Sequence, residues 1–296
     1  MVEDDMQLTD VDKAIMNWYM RELAHRCGLK VAELRIERGA MESMHMRAHR
    51  LVADRAAKGI LKRGKGGITA DDVENVLRNW AFARNSFRLN VMPQGQDWVK
   101  SDTLGLLRDR GGDIHVTKPT LRYPHVAEML NKFLLQRLPN EAKSFKWTSI
   151  NLNCNYAARR HRDGNNFGPS FIQAFGNFTG GELSVWPEDD KSQKLHELPE
   201  SQKKTVDIKK NLVLFNGNTA HEVHDFDGQR FSVVYFCCGC HAKTPPSVQK
   251  ELKKFSFHHP NKDDKRYTLL PEPQGYSKKS VGTRRGVLKT WPAKTK

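Results

Sequence analysis

Hydrophobic positions keep a helical period over the first ninety residues and a strand-like period after residue 147. Thr9 and Asp12 make a capping-box-like start, and Val11, Ile15, Trp18, Tyr19 and Leu23 then fall on one side of a helix. A second helix is expected from about Val31 to Leu61, a stretch without proline and rich in Ala, Met, Arg and Glu. The Lys62 to Gly67 turn would end it. Thr69 caps a third helix, with Asp72 in its first turn and Val73, Val76, Leu77 and Trp80 at helical spacing. This helical layer packs against the domain C-terminal to it or offers a platform to a partner. Met92 to Gly112 reads as loop, because Pro and Gly punctuate it. Val126, Met129, Leu130, Phe133, Leu134 and Leu138 mark an amphipathic helix closed by Pro139.

From residue 147 the period shortens. Strands are predicted at 147–156, 169–175, 181–186, 205–208, 211–216, 219–225 and 230–237, separated by turn clusters at Asn177 to Gly181, Asn216-Gly217-Asn218 and Asp227-Gly228. So many short strands at this spacing suggest an α+β chain whose core is a β-sandwich or jelly roll. Four regions are expected: a helical one at 1–90, a loop and supporting helix at 91–146, the strand core at 147–241, and a tail at 242–296. The tail should be irregular, with one helix near 247–255.

Composition narrows the class. The 296 residues allow two domains or one elaborated domain. With 38% hydrophobic and 28% charged residues, a buried core is feasible. The longest apolar run, Phe231 to Cys240, is about half of what a membrane helix needs. The acidic start MVEDDM is no secretory signal, and five irregularly spaced cysteines make no disulfide framework. A soluble protein of a reducing compartment, cytoplasmic or nuclear, is therefore expected, with no membrane partner. The net charge is +15. Residues 242–296 hold 14 Lys/Arg against 4 Asp/Glu, so +10 of the excess falls in the tail. Such a tail attracts nucleic acid or simply solvates the chain.

Candidate chemistry concentrates between Asn153 and Phe178. In an extended segment residues two apart share a face, so His161 and Asp163 can bind one metal with Arg162 turned away. His221 lies sixty residues later, in a second predicted strand. Two histidines and one carboxylate with open positions suit non-haem Fe(II) that activates O2. Zinc accepts the same donors, but no HExxH is present to favour a hydrolytic site. If Asp227-Gly228 is a two-residue hairpin turn, residue 225 pairs with 230, 223 with 232 and 221 with 234. His221, Val223, Arg230 and Ser232 would then share a face, with His224 and Phe231 on the other. A three-residue loop would reverse that parity. An Arg inside the core demands an anion, which a dicarboxylate co-substrate would supply.

Residues 147–240 resemble the catalytic core of the Fe(II)/2-oxoglutarate-dependent dioxygenases. The matching residues are His161-x-Asp163, His221 and Arg230-x-Ser232. The stretch HEVHDFDGQRFSVVYF is similar to the end of the prolyl-4-hydroxylase-like branch. The stretch HRDGNNFGPSFIQAFGNFTGGELSVW looks more like algal and protist members, and loosely like TET/JBP-type oxygenases. The resemblance implies a double-stranded β-helix. It implies Fe(II) on His161, Asp163 and His221, with Arg230 and Ser232 on the distal carboxylate of 2-oxoglutarate. It also implies O2 as oxidant, ascorbate as reductant, and hydroxylation of a C–H bond on an unidentified protein or nucleic-acid substrate as 2-oxoglutarate becomes succinate. Asn153 and Tyr156 would contact the co-substrate, and Asn166 and Ser170 the co-substrate or the substrate. The competing reading is a jelly roll without chemistry that grips nucleic acid through its tail.

Other clusters are weaker. Cys237, Cys238, Cys240 and His241 are too crowded for a zinc site and read as buried side chains at a strand end. Met41, Met44 and Met46 with His45 and His49 read as core filling. Trp80, Phe82 and the Arg/Lys series of 47–65 read as a solvated helix face over a core rather than a nucleic-acid surface. Lys278, Lys279, Arg284 and Arg285 resemble a basic import signal.

Overall fold

The computed structural model describes residues 9–36, 42–64, 66–164, 166–273, 275–276 and 288–292. Its helices are α1 (Asp10–Arg26), α2 (Met44–Lys62), α3 (Ala70–Asn79), α4 (Lys118–Arg122), α5 (Pro124–Arg137) and α6 (Pro246–Lys254). Its strands are β1 (Arg84–Asn85), β2 (Val99–Arg108), β3 (Ile114–Val116), β4 (Ser149–Cys154), β5 (Ser170–Phe175), β6 (Phe178–Gly180), β7 (Leu183–Val185), β8 (Lys204–Val206), β9 (Asn211–Phe215), β10 (His221–Val223), β11 (Phe226–Gly228), β12 (Phe231–Phe236) and β13 (Lys289–Pro292). All pairings are antiparallel. The large sheet runs β1-β2-β4-β12-β5-β9-β13, and a smaller one runs β10-β7-β8.

The alternation of side chains decides what each face of the large sheet does. Ile150, Leu152, Phe171, Phe175, Phe231, Val233 and Tyr235 point to one side, into a core shared with Val73, Val76 and Leu77 of α3 and Leu130, Phe133 and Leu134 of α5. Their neighbours Asn151, Asn153, Ile172, Ser232 and Val234 point to the other, where they line a cavity. The register sets Ser232 opposite Asn153 and Val234 opposite both Asn151 and Ile172. One face is thus a dry platform on helices, and the other is the wall of a site.

The capping boxes at Thr9 and Thr69 form as expected. Three expectations are corrected. The second helix begins at Met44, not Val31, because the Ser43 hydroxyl accepts the Met46 amide (3.1 Å) and starts it there; Val31–Leu34 is a separate short turn. Val99–Arg108 is a strand, not loop. Its polar Asp102 is buried because Arg50 of α2 holds it with two bonds (2.8 and 2.9 Å) and the Trp80 indole donates to it (2.9 Å). The expected apolar side of α1 is also largely unburied: Val11, Ile15 and Trp18 are 67%, 58% and 65% exposed, while Leu23 packs. In the tail, α6 falls where a helix was expected, and β13 adds an unforeseen strand beside β9. The residues read as an import signal lie outside the described ones, as does Met41. No described helix is long and apolar enough to cross a membrane.

Candidate metal centre

His161 and His221 face each other as a single antiparallel bridge, each donating its amide to the other's carbonyl (2.9 and 3.0 Å). This pairing brings the two imidazoles together, tilted by 52° with centroids 4.0 Å apart. The His161 Nδ1 lies 2.8 Å from the Arg159 carbonyl, and the His221 Nδ1 lies 2.9 Å from the Thr219 carbonyl. A carbonyl only accepts, so each Nδ1 carries a proton and each Nε2 is the nitrogen left to meet a metal. Asp163 joins them because its amide donates to the Gly217 carbonyl (2.8 Å), and its Oδ1 comes within 3.7 Å of the His161 Nε2. One donor atom from each of the three residues lies within 4.8 Å of the other two. That is the spacing of a metal-ligand set, and this is the one such group among the described residues. Burial first, and then the neighbouring His221, push the His161 pKa down to about 3, so the ring is neutral at pH 7. Neutral imidazole is the form that binds a metal.

The support of Asp163 is tight. Its Oδ2 accepts from the Asn166 amide nitrogen (2.9 Å), and a Cβ on Gly217 would sit 2.6 Å from that same oxygen. Glycine is therefore required by close approach rather than by backbone angle. Arg162 points away, as parity predicts, and binds Asp189 (2.6 and 2.7 Å). His224 also lies off the site, with its Nε2 2.7 Å from the Ser184 hydroxyl.

The three groups open on a cavity of about 110 Å³. Arg230, Ser232, Asn153 and Tyr156 line it too. Arg230 is 2% exposed, between Phe178 and Phe226, with its guanidinium 5.5 and 5.4 Å from their ring centres. It donates to the Gly181 carbonyl (3.2 Å), and its Nε has no partner among the described residues. Burial holds its pKa down at about 10. An unmatched buried guanidinium is costly unless an anion meets it. Ser232 accepts from Asn153 (3.2 Å), and the buried Tyr156 hydroxyl donates to the Asn153 Oδ1 (2.6 Å).

The pairing by which the sequence brought Arg230 here is wrong. Asp227-Gly228 is not a two-residue hairpin turn; both residues belong to β11, which pairs with β6. His221 and Val223 pair with Val185 and Leu183 of β7, and Ser232 pairs with β4 and β5. His221, Val223, Arg230 and Ser232 nevertheless share the cavity. Ser170 is not among the residues lining it, and its buried hydroxyl has no partner among the described residues. Asn166 reaches it and also holds Asp163. Of the cysteines, Cys154 and Cys237 are buried, while Cys238 and Cys240 are half-buried with sulfurs 3.1 Å apart.

Sequence reasoning missed Arg88 and Asn151, which also line the cavity. Arg88 donates to the Tyr156 hydroxyl (3.0 Å), to Asn153 (3.2 Å) and to Ser101 (3.2 Å). Strand parity with Asn153 signals Asn151. Nothing local signals Arg88, which arrives from the connection between β1 and β2.

No protein-family model matches the chain, and no curated protein matches it. Among solved structures it is similar to NgTET1 in complex with 5mC DNA, at 20% identity and a TM-score of 0.31 over 49% of this chain and 62% of that one. The chain thus spans less than two thirds of that protein. It is similar to an oxidoreductase of the 2OG-Fe(II) oxygenase family from Burkholderia pseudomallei, at 16% identity and a TM-score of 0.38 over 68% and 92%. It is also similar to a prolyl hydroxylase from Trichoplax adhaerens, in complex with a hypoxia inducible factor peptide fragment, at 13% identity and a TM-score of 0.33 over 80% and 96%. The structural neighbours therefore include TET, 2OG-Fe(II) oxygenase and prolyl hydroxylase proteins. At TM-scores below 0.5, none of the three supports a functional conclusion for this chain.

Proposed function

We propose that this protein is an Fe(II)- and 2-oxoglutarate-dependent oxygenase that hydroxylates a C–H bond of a group entering the cavity. The observation that carries the reading is one small cavity lined by two neutral-capable imidazoles, a carboxylate and a buried guanidinium without an ion-pair partner among the described residues. His161, Asp163 and His221 would hold the iron, the donor set suited to Fe(II) with open positions. Arg230, with Ser232 beside it, would take the distal carboxylate of 2-oxoglutarate. Asn153, Tyr156 and Arg88 would shape the wall around the same molecule.

The charges fit that ligand pair. The lining has two guanidinium side chains, Arg88 and Arg230, against one carboxyl side chain, Asp163. Fe(II) adds further positive charge, so an anionic co-substrate is favoured. The strand order also fits the proposed double-stranded β-helix. β4-β12-β5-β9 form one sheet, and the His161 bridge with β10-β7-β8 forms the other, so alternate strands pass between two sheets.

When bound, iron with 2-oxoglutarate and O2 supplies the oxidising power: one oxygen atom enters the C–H bond, and the other leaves in succinate as CO2 is lost. The protein's own contribution is to keep the His161 imidazole neutral, to aim the carboxylate, and to surround the reacting group with Ile172, Leu183, Phe215, Val223 and Val234, which exclude water. The test is anaerobic titration of Fe(II)-loaded protein with 2-oxoglutarate, and then succinate release in O2 with ascorbate. Saturable 2-oxoglutarate binding that requires iron is expected. Protein that takes up iron yet shows no affinity for 2-oxoglutarate would refute the reading.

A further inference from the structure

A second, larger cleft, of about 700 Å³, opens beside the proposed metal site. Its walls are the turn between β2 and β3 with Arg108, Asp109 and Arg110, the segment after β12 with Cys238 and Lys243, Phe167, and Arg266. Asn166 lines both cleft and cavity, so the cleft's inner end is the residue that holds the Asp163 carboxylate. Four cations face one carboxylate there, and all four are exposed. Among the described residues none of the four makes an ion pair. Several other arginines do meet a carboxylate: Arg55 pairs with Glu33, Arg63 with Asp72, Arg78 with Glu74, Arg160 with Glu222 and Arg162 with Asp189. The four cleft cations have no counter-ion among the described residues, and Arg266 donates only to the Asn166 carbonyl (2.9 Å).

Flat groups stand among the charges. Phe87 is 68% exposed, and the Arg110 guanidinium lies 4.1 Å from its ring centre. Phe87 immediately precedes Arg88, whose side chain enters the cavity. Phe167 forms part of the cleft wall, its ring 4.1 Å from that of His241. Bare cations interleaved with aromatic faces are the surface that binds single-stranded nucleic acid, phosphates on the cations and bases on the rings. A cavity of about 110 Å³ admits one small group and not a chain, so the rest of a large substrate has to lie outside it.

We infer that the cleft is a track for single-stranded nucleic acid, and that the group presented to the cavity belongs to one of its nucleotides. The second half rests on the proposed oxygenase function; the first does not. Two of these cations, Arg108 and Arg110, come from the β2–β3 turn, and the other two, Lys243 and Arg266, are described residues of the 242–296 segment.

The binding test uses metal-free full-length protein and a fluorescein-labelled single-stranded oligonucleotide of about 16 nucleotides, the upper end of common site sizes. Anisotropy is measured as salt is raised. Affinity should fall linearly in log salt. Arg108→Gln/Arg110→Gln/Lys243→Gln should flatten that slope by about 2, at roughly 0.7 per released phosphate contact, and weaken binding more than tenfold at fixed low salt. Lys250→Gln/Lys253→Gln/Lys254→Gln on α6 serves as the control and should keep the slope. Equal losses in both variants would overturn the cleft as the binding site. A poly-glutamate peptide that competes as well as the oligonucleotide would overturn nucleic acid in favour of an acidic protein. Since no iron is present, failure here leaves the oxygenase reading standing. In the companion assay, iron-loaded protein with 2-oxoglutarate should add one oxygen to the oligonucleotide by mass spectrometry. Oligonucleotide that binds in the cleft but gains no oxygen, while 2-oxoglutarate still binds, would overturn its role as substrate.

Discussion

Replacing Arg230 with methionine should raise the stability of the ligand-free protein while weakening its affinity for 2-oxoglutarate. The side chain is 2% exposed and lacks a carboxylate partner among the described residues. Burial lowers its pKa from 12.5 to about 10. At about 1.4 kcal/mol per tenfold change, the folded state carries a penalty of about 3 kcal/mol for holding this charge. The sign comes from proton counting. Between pH 10 and 12.5 the unfolded chain binds more protons at this group than the folded one, so the penalty is relieved as pH rises through that window and is fully present at pH 7. Methionine removes the charge and fits between Phe178 and Phe226. It also removes the bond to the Gly181 carbonyl, which returns about 1 kcal/mol. A net gain of about 2 kcal/mol remains, readable by urea denaturation at pH 7 in iron-free buffer. The same change deletes a charge-assisted contact worth about 1.5–3 kcal/mol, so the iron-loaded variant should bind 2-oxoglutarate roughly 10- to 150-fold more weakly. A variant less stable than wild type by more than about 1 kcal/mol would refute the claim that the charge is unmatched. Unchanged 2-oxoglutarate affinity would refute the claim that the co-substrate matches it.

Four further changes test the surroundings. His161→Ala or Asp163→Ala should abolish stoichiometric iron uptake, measured by metal analysis, with the circular dichroism spectrum unchanged. Gly217→Ala, which puts a Cβ 2.6 Å from the Asp163 Oδ2, should lower iron affinity roughly 10- to 100-fold without replacing a proposed ligand. Arg88→Gln should weaken 2-oxoglutarate binding in calorimetry while iron content stays stoichiometric, because Arg88 contacts Tyr156 and Asn153 but none of the three donors. Arg50→Ala should cost about 3–5 kcal/mol in urea denaturation, since it leaves Asp102, which is 7% exposed, without its cationic partner.

What the sequence conveyed about this molecule depended on the range of each signal. Alternation around β12 is local, and it put Arg230 and Ser232 on one side and Phe231 on the other, as the cavity and the helix-facing core have them. The His161 and Asp163 pair is local too, since two-residue spacing alone puts both on one side of an extended segment. β2 stayed hidden because Pro93, Gly95 and Gly105 read as loop punctuation, and because its buried Asp102 looks like a surface residue until Arg50, fifty-two positions earlier, is set against it. Arg88 stayed hidden for the same reason: its partners Ser101, Asn153 and Tyr156 lie 13, 65 and 68 residues away. Buried ion pairs and polar networks have no period, so only tertiary contact reveals them.

The assumed hairpin shows why a wrong pairing still selected the right residues. It required strand 221–225 to fold back on strand 230–234, whereas His221 and Val223 of β10 pair with β7 and Ser232 of β12 lies between β4 and β5. Parity survives this, because a strand keeps its own two-residue alternation whichever neighbour it pairs with. His221 and Val223 must share a side, as must Arg230, Ser232 and Val234. The unproved step was that the two strands point those sides at each other. Two sheets that face one another across a cavity satisfy it as well as one hairpin does, since the apolar strip of each has to turn inward. Asp227-Gly228 instead pairs with Phe178 and Thr179, and Gly228 takes a φ of 101° there, where a Cβ would meet the Asn177 carbonyl at 2.3 Å. The dipeptide marked a glycine-dependent backbone, as it should. It did not mark which strands that backbone joins, and the convergence on Arg230 came from burial rather than from the turn.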